Sequence, residues 1–211
     1  MKSRFSHEHD RVSGCTAELV RFFEKHATVR LYNKGKKLDL LYAGENVCYL
    51  ILDGVTVFYR DYDNIALQTV TAPGILGLGN SSKLLISGYI KTITPCKIGI
   101  ISTDKVYEII KENQLWELLA LHMIKVANRL FKINMVNSQP TTYPIIREQL
   151  KELMAENVEI ISNVTAANYI LNKTNISRSQ IMAVISSLKK GGFIELEGGK
   201  LIKIYHLPDS Y

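Results

Sequence analysis

The sequence predicts an α+β fold in which a roll of short β-strands precedes a long helix and a smaller helical domain. Three observations support this. Short runs rich in Val, Ile, Leu and Tyr alternate with turn residues between positions 27 and 102. An apolar pattern of helical period follows from about 103 to 137. Two short helical patterns joined by a polar turn then precede two apolar runs separated by Gly198-Gly199.

Composition places the chain among globular proteins and favours a polyanionic partner, although the same charge balance is also compatible with plain solubility. Its 211 residues are 46% apolar, which is enough for one large or two small cores. A net charge of +6 and a pI near 9.1 favour an acidic partner. The amino terminus lacks a signal-peptide pattern, and no apolar run reaches the ~20 residues that cross a bilayer. We therefore expect a cytoplasmic protein with no membrane partner.

The amino-terminal residues 1–16 are polar, and we expect them to be flexible. The segment His7-Glu8-His9-Asp10 carries metal-ligand types, but no third His or Cys lies near it, so we expect no metal site. A helix is predicted over residues 17–26, because its apolar side chains fall on one face.

A β-roll or jelly-roll barrel is predicted to complete the first domain, residues 17–102. Its turns are marked by Asp53-Gly54, Thr94-Pro95 and similar pairs. The predicted strands are Val29–Tyr32, Leu38–Tyr42, Val47–Leu52, Val55–Tyr59, Ile65–Val70, Tyr89–Thr94 and Lys97–Ile101.

A long helical region, residues 103–138, follows, with Thr103 as its predicted cap. Six of its residues recur at alternating spacings of four and three, which is the pattern of two helices lying side by side. They are Leu119, Met123, Val126, Leu130, Ile133 and Asn137. We predict a homodimer seam here. The alternative is an amphipathic helix packed on its own barrel.

A second domain is predicted from residue 139 onwards, because Ser138-Gln139-Pro140-Thr141 breaks the helical pattern. It opens with a helix over Tyr143–Met154. Val158–Ile161 is then predicted as a short strand.

The segment from Val164 to Phe193 predicts two helices joined by a turn. We expect Thr165 to cap the first helix and Ser177 to cap the second. The polar turn between them is predicted at Asn172-Lys173-Thr174-Asn175. Within the second helix one apolar stripe is predicted to be buried, formed by Ile181, Val184, Ile185 and Leu188.

The outward face of that second helix has the chemistry of a DNA-reading surface. Its exposed residues are predicted to be Ser177, Arg178, Ser179, Gln180 and Ala183, with no acidic side chain among them. Together with the hairpin that follows Gly191-Gly192, the segment matches a winged helix-turn-helix, whose second helix enters the major groove. The alternative is a small helical subdomain with a surface arginine. Six basic and two acidic residues between positions 160 and 206 favour the DNA-binding interpretation.

The order of elements resembles the cyclic-AMP receptor protein/FNR superfamily of bacterial transcription regulators over nearly the whole chain. The likeness is carried by Ala43-Gly44-Glu45 with Tyr49–Val55, by Pro73–Gly79 with Ser87–Thr103, and by Ile176–Ser179. A closer resemblance is to a small enterobacterial branch linked to oxidative-stress resistance. It is carried by Ala72-Pro73, Glu112–Trp116, Ser177–Ser179 and Gly199–Ile202.

The resemblance implies a cyclic-nucleotide-binding-like β-roll whose ligand cassette is degenerate. The cassette positions are Gly77, Leu78, Gly79, Ile86 and Ser87. Where nucleotide-binding members have a glutamate and an arginine, this chain has Leu78 and Ile86, which offer no partner for a ribose or a phosphate. We therefore expect no binding of cyclic AMP and predict no cofactor. The cassette is either a filled core or a pocket for an apolar ligand or haem.

The three cysteines, Cys15, Cys48 and Cys96, have neither a disulfide nor a metal-ligand spacing. Cys15 alone cannot hold the iron–sulfur centre of the redox-sensing members of the superfamily. Cys48 and Cys96 fall in predicted strands, so we expect them to be buried. A reactive thiol sensor is the weaker alternative.

The resemblance implies that Arg178 reads a guanine, since it alone matches the family's recognition helix, whereas Ser179 and Ala183 replace a base-reading glutamate and an arginine. Phosphate contacts are predicted from Ser177, Gln180, Lys173 and Lys200, and Thr165 lies at the same surface. The expected partners are double-stranded DNA and a second copy of the chain, with RNA polymerase as a further candidate. No nucleophile–base pair or phosphate loop indicates an enzyme. The competing function is a ligand- or protein-binding module without specific DNA binding.

Overall fold

The computed structural model describes residues 14–42, 44–79, 88–139, 141–156 and 158–209. The chain divides into two compact units, Met1–Arg129 and Leu130–Tyr211, and the division falls within a helix. The first unit contains two antiparallel sheets and the second contains helices with a two-stranded hairpin. The predicted α+β class, with a β-roll, a long helix and a winged helix-turn-helix, is confirmed.

The first unit begins with helix α1, residues 14–24. Residues 14–16, expected in a flexible terminus, are therefore helical, and Cys15 and Thr16 are buried. The strands that follow are β1 Thr28–Tyr32, β2 Lys37–Asp39, β3 Leu41–Tyr42, β4 Glu45–Asp53, β5 Val55–Arg60, β6 Ala66–Thr71, β7 Gly74–Leu76, β8 Gly88–Thr92 and β9 Cys96–Ser102. One sheet has the order β1-β9-β4-β3, with β7 also paired to β4, and the other has the order β2-β8-β5-β6.

Strand β4 lies at the centre of the first unit because its apolar run is buried on both faces. Val47, Tyr49 and Ile51 point into the core between the two sheets. Cys48 and Leu50 alternate with them and pack against α1 and the helix that follows β9. The continuous apolar sequence of β4 is explained by these two cores, since a strand with one solvated face would alternate with polar residues.

The strand predictions are largely confirmed, with two corrections. The predicted strand Leu38–Tyr42 is interrupted at Leu40, whose buried side chain joins the core between the sheets. Strand β7 was not predicted because it has only three residues, Gly74–Leu76, and so is too short to show a period.

The helical region after β9 is two helices rather than one. Helix α2, Thr103–Glu112, is capped by Ser102, whose hydroxyl accepts a hydrogen bond from the Lys105 N–H at 3.3 Å. Thr103, the predicted cap, is instead the first helical residue. The chain then turns at Asn113–Leu115, with Gln114 at φ 53°, and α3 runs over Trp116–Asn137.

The second unit contains α4 Thr142–Ala155, α5 Val158–Asn163, α6 Ala166–Lys173, α7 Arg178–Lys190, β10 Ile194–Glu197 and β11 Lys200–Ile204. The predicted strand Val158–Ile161 is wrong, since the segment is the helix α5, in which Ile160 is buried. Its β-branched residues are outweighed by tertiary packing. The predicted helix break lies between Asn137 and Thr142, and Pro140 within it is outside the described residues. Where the domains begin and end stays a prediction.

Candidate DNA-binding interface

The start of α7 is fixed by a reciprocal cap. The Gln180 N–H donates to Ser177 Oγ at 3.3 Å, and Gln180 Oε1 accepts from the Ser177 N–H at 3.3 Å. The predicted cap at Ser177 is confirmed, and the glutamine three residues later completes a capping box. The side chains of Ser177 and Gln180 therefore fix the residue at which α7 begins. The sequence predicts Ser177 both as a cap and as a phosphate contact, and Gln180 as a phosphate contact only.

The two faces of α7 differ sharply in chemistry. Ile181, Ile185 and Leu188 are buried, while Val184 is half-buried. The five residues predicted to face outwards are all exposed: Ser177, Arg178, Ser179, Gln180 and Ala183. Met182, which was not predicted, is 47% exposed between them. The helical period could have identified it, because it lies one turn beyond Arg178 and outside the buried stripe.

Arg178 is exposed at the first turn of α7 and forms no ion pair with the described residues. Its guanidinium donates from Nη1 to Asn168 Oδ1, on α6, at 3.4 Å. Asn168 was not predicted as a site residue. It is exposed on the first turn of α6, where its backbone N–H donates to Thr165 Oγ1 at 3.3 Å and so confirms the predicted cap. The five donors of Arg178 are thus presented to solvent with one weak internal partner.

The wing turn packs against the start of α6. The Ala166 N–H donates to the Gly199 carbonyl at 2.9 Å. Gly198 and Gly199 both have positive φ, 54° and 81°, which suits a two-residue hairpin turn. A Cβ on Gly199 would lie 3.3 Å from Thr165 Cγ2, so glycine also permits the close approach. Thr165 and the wing turn therefore form one continuous surface.

The wing carries balanced charge. Lys200 lies opposite Glu197 in the hairpin, and Lys203 lies opposite Glu195. The Tyr205 hydroxyl donates to Glu195 Oε2 at 2.8 Å, and this hydrogen bond raises the pKa of Tyr205. The wing therefore adds little net positive charge to the surface, although the side chain of Lys200 is exposed.

Lys173 does not lie in the connection between the two helices, as predicted, but in the last turn of α6, and the turn begins at Thr174. Its side chain is only 11% exposed, with Nζ 3.4 Å from Glu152 Oε1 and 3.6 Å from Glu156 Oε1. The ammonium also lies 4.1 Å from the centre of the Tyr169 ring. Lys173 therefore joins α6 to α4, and its charge is neutralised within the domain.

Helix α6 has an apolar face that packs inside the second unit. Ala166, Tyr169 and Ile170 are buried, whereas Ala167 and Leu171 are half-buried. The ring of Tyr169 is buried, while its hydroxyl donates to Glu156 Oε1 at 2.8 Å.

The ligand cassette predicted from the sequence begins in a tightly packed turn. Gly77 has φ 97°, and a Cβ there would collide with the Val47 carbonyl oxygen. Leu78 is buried in the core against α1 and α2, and its carbonyl accepts from the Tyr107 hydroxyl at 2.9 Å. Gly79 is exposed. The other two cassette residues, Ile86 and Ser87, lie outside the described residues.

All three cysteines are buried, as expected for Cys48 and Cys96. Burial raises the pKa of Cys48 to about 11 and also raises the pKa of Cys96. Both thiols are therefore protonated near neutral pH, and a protonated thiol is a weak nucleophile.

The candidate metal ligands His7-Glu8-His9-Asp10 lie outside the described residues. Within the part of the chain that the structure describes, no cluster of three or more His, Cys, Asp or Glu side chains could hold a metal ion. Among the same residues, no helix is long and apolar enough to cross a membrane.

The predicted seam on α3 is divided between two faces of the helix. Leu119 packs against the core of the first unit, and Val126 and Ile133 are half-buried. Met123 and Leu130 are exposed, and Asn137 is exposed but donates from Nδ2 to the Lys173 carbonyl at 3.4 Å. The exposed residues spaced by four and three along α3 are instead Trp116, Ala120, Met123, Ala127, Leu130 and Asn134. Ile124, Phe131 and Met135 flank them and are also exposed.

Comparison with known proteins agrees with this geometry. A family model described as winged helix-turn-helix DNA binding matches residues 142–209. The protein called inhibitor of hydrogen peroxide resistance, from Escherichia coli strain K12, is 31% identical over 172 residues, which cover 77% of this chain and 79% of that protein. The chain belongs to the same family.

Solved structures show that this member of the inhibitor of hydrogen peroxide resistance family has the fold of CRP/FNR regulators. The c-di-GMP responsive global regulator CLP of Xanthomonas campestris matches 90% of this chain and 100% of its own, with a TM-score of 0.69 and 14% identity. A CRP/FNR-family transcriptional regulator from Thermus thermophilus matches 83% of this chain and 94% of its own, with a TM-score of 0.62 and 16% identity. Both solved proteins are named as regulators, and in this chain the winged helix-turn-helix DNA-binding domain is the part that the family model matches, residues 142–209.

Proposed function

We propose that this protein is a dimeric, sequence-specific transcription regulator that reads DNA with the first turns of α7. The observation that carries the proposal is the outward face of α7, where five predicted residues are exposed together and none is acidic. A helix in the major groove needs donors and small apolar groups at its start, since these match base edges and thymine methyl groups.

Within this proposal Arg178 contacts a guanine, because its fork of donors matches O6 and N7 of that base. Met182 and Ala183 supply apolar surface next to it, and Ser179 supplies a hydroxyl. Lys200 and the Thr165 end of α6 contact phosphates, which position the domain without specifying sequence. Lys173 takes no part, since its charge is already neutralised by Glu152 and Glu156.

The proposed dimer forms through the exposed stripe of α3 rather than through the seam predicted from spacing alone. Large apolar side chains such as Leu130, 51% exposed, and Phe131, 68% exposed, are costly to leave in water. A second copy of α3 would cover the same residues on both chains in a two-fold interface. Two α7 helices would then face two half-sites about one DNA turn apart.

We also propose that the regulator does not bind cyclic AMP. The residue at the cassette position of the family's glutamate, Leu78, has its side chain in a hydrophobic core and offers no hydrogen bond to a ribose. The similarity to inhibitors of hydrogen peroxide resistance supports a role in the control of peroxide resistance. The buried, protonated Cys48 and Cys96 argue against direct thiol sensing as the route.

The second candidate function is a ligand- or protein-binding module that does not bind DNA specifically. The balanced charge of the wing favours it, because Glu195 and Glu197 lie opposite the two lysines that would otherwise attract phosphates. This alternative predicts shallow dependence of DNA binding on salt.

The experiment that separates the two is selection of genomic DNA fragments by the purified full-length protein at near-physiological salt. Recovery of a palindrome with half-sites about one helical turn apart supports the dimeric regulator. Failure to enrich any sequence, together with a shallow salt dependence of bulk DNA binding, supports the binding module.

A further inference from the structure

Met182 is a large apolar residue that stands exposed on the outward face of α7. It is 47% exposed, whereas the apolar stripe of the same helix is buried. Met182 follows Arg178 by four residues and Ser179 by three, and side chains at these spacings are neighbours on a helix surface. Its thioether therefore lies beside the two residues to which base contacts are assigned.

A thioether differs in its redox chemistry from the three thiols of the chain. Thiols react with peroxides as thiolates, but all three cysteines are buried, and burial raises the pKa of Cys48 to about 11. The sulfur of methionine carries no proton near neutral pH, so its lone pairs are available wherever an oxidant can reach it. Exposure therefore makes Met182 more accessible to a peroxide than the cysteines are.

We propose that Met182 is a site of reversible oxidation by peroxides, and that its sulfoxide form weakens the reading of DNA by α7. This inference rests on the proposed function, because it names a regulation of the same surface. The sulfur attacks one oxygen of hydrogen peroxide, and the S–O bond forms as the O–O bond breaks. The proton of the transferred oxygen passes to the departing hydroxide, so the second product is water. The sulfur loses two electrons and the peroxide gains them.

Oxidation changes the reading surface because a thioether is apolar and a sulfoxide is polar. In the proposed complex Met182 packs in the major groove, where apolar side chains contact the methyl group of thymine. A sulfoxide oxygen at that contact loses its water without gaining a donor, which costs free energy. The same oxygen lies beside Arg178 and accepts from its guanidinium in competition with guanine.

Other exposed methionines provide internal references. Met123 and Met135 of α3 are 41% and 71% exposed, and Met154 of α4 is 38% exposed. Met123 and Met135 lie at the face proposed to form the dimer, so their oxidation would act on the dimer rather than on base contacts. Exposure alone thus does not distinguish Met182, but its place beside Arg178 does.

The test compares DNA binding by the full-length protein before and after treatment with hydrogen peroxide, which catalase removes before each measurement. Fluorescence anisotropy with a site recovered by the genomic selection gives the affinity, and peptide mass spectrometry gives the extent of sulfoxide at each methionine. We expect the oxidised wild type to bind at least about tenfold more weakly than its untreated form, in proportion to the oxidation of Met182. Methionine sulfoxide reductases A and B should restore the affinity.

Two variants with complementary sets of methionines, each compared with its own untreated form, assign the effect to one residue. The triple variant Met123→Leu/Met135→Leu/Met154→Leu retains Met182, so peroxide should weaken its binding as much as that of the wild type. Met182→Leu retains the other three, and peroxide should change its affinity by less than about twofold. DNA bound before the treatment should slow the oxidation of Met182 but not that of Met154.

The inference is overturned if Met182 resists oxidation, or if wild-type protein oxidised at Met182 keeps its affinity. It is also overturned if Met182→Leu loses affinity on treatment as the wild type does, or if bound DNA gives Met182 no protection. These outcomes leave the proposed function standing. Failure of the untreated wild type to select or bind any site would instead contradict the proposed function, and this inference with it.

Discussion

Helices α3 and α7 each turn one face inwards and one outwards, but the outward faces differ in chemistry. The outward face of α7 is mostly polar and the inward face is wholly apolar. In α3 the outward face carries large apolar side chains, and the inward face combines apolar residues such as Leu119 with the buried His122. An exposed face that is apolar is expected to be covered by protein, and one rich in donors is expected to contact nucleic acid. The two helices are therefore assigned different partners.

The largest effect should come from placing a charge on the outward face of α3. We expect Leu130→Glu to convert the proposed dimer to a monomer, because a two-fold interface would bury the new carboxylate twice. DNA affinity should fall at least a hundredfold, since each monomer would bind one half-site. Sedimentation velocity and fluorescence anisotropy with a selected DNA site measure the two changes.

The matched control for that variant is Asn128→Glu, which adds the same charge at an exposed polar position of α3. It should leave the dimer intact. Equal dissociation in both variants would show that added charge alone, rather than the apolar stripe, is responsible. A dimer that survives Leu130→Glu would exclude the stripe as the interface.

The buried His122 on the inward face of α3 predicts that the stability of the protein depends on pH. The unfolded chain protonates His122 near its ordinary pKa of 6.5, whereas the folded protein does so only near 4. Its contribution to stability is therefore complete above pH 6.5 and is lost as the pH falls towards 4. Between pH 7 and 4.5 the loss should be about 2 kcal/mol in the free energy of unfolding. Urea unfolding of the wild type and of His122→Gln measures it, and an equal pH dependence in both would contradict the assignment.

On the outward face of α7, Arg178→Ala should relax selection at one base pair of each half-site. The loss of a bidentate contact to guanine should cost ~1–3 kcal/mol in discrimination. Arg178→Lys keeps the charge but loses the fork, so it should retain general DNA affinity without restoring the preference. Repeating the selection with each variant measures this. If Arg178→Ala recovers the same site with undiminished preference, another residue reads that base.

The smallest effect is expected from the wing. Lys200→Ala should weaken binding to all sequences about equally and reduce the slope of log affinity against log salt by about one per half-site. Glu197→Gln, directly across the hairpin, should strengthen binding slightly because it removes the opposing charge. Anisotropy titrations at several salt concentrations test both variants. A change of preferred sequence in Lys200→Ala would show that the wing contacts bases.

The parts of this structure that follow short-range rules were predictable from the sequence. Ser177 and Thr165 cap their helices, Gly198-Gly199 forms the wing turn, and the outward residues of α7 follow the helical period. The parts that depend on contacts between residues far apart in the sequence were not predictable in this way. Val158–Ile161 has strand-forming residues but packs as α5, and the charge of Lys173 is neutralised by glutamates of α4 and of the segment just after it.

The seam predicted on α3 shows why spacing alone leaves more than one candidate interface. Two overlapping sets on this helix have alternating spacings of four and three, one starting at Trp116 and the other at Leu119. Period alone cannot separate them, because each set lies along one side of the helix. What separates them is that Leu119 and Val126 pack within their own unit, and this contact lies far away in the sequence.

Strand β4 has a consequence for how the first unit comes apart. Since its side chains enter both hydrophobic cores, neither core can open without exposing one face of this strand. Strand β9 and the helices α1 and α2 pack against it and must separate in the same event. We expect the β-roll and its helices to unfold as one cooperative block, with the backbone amides of Tyr49–Ile51 among the last in the unit to exchange with deuterium.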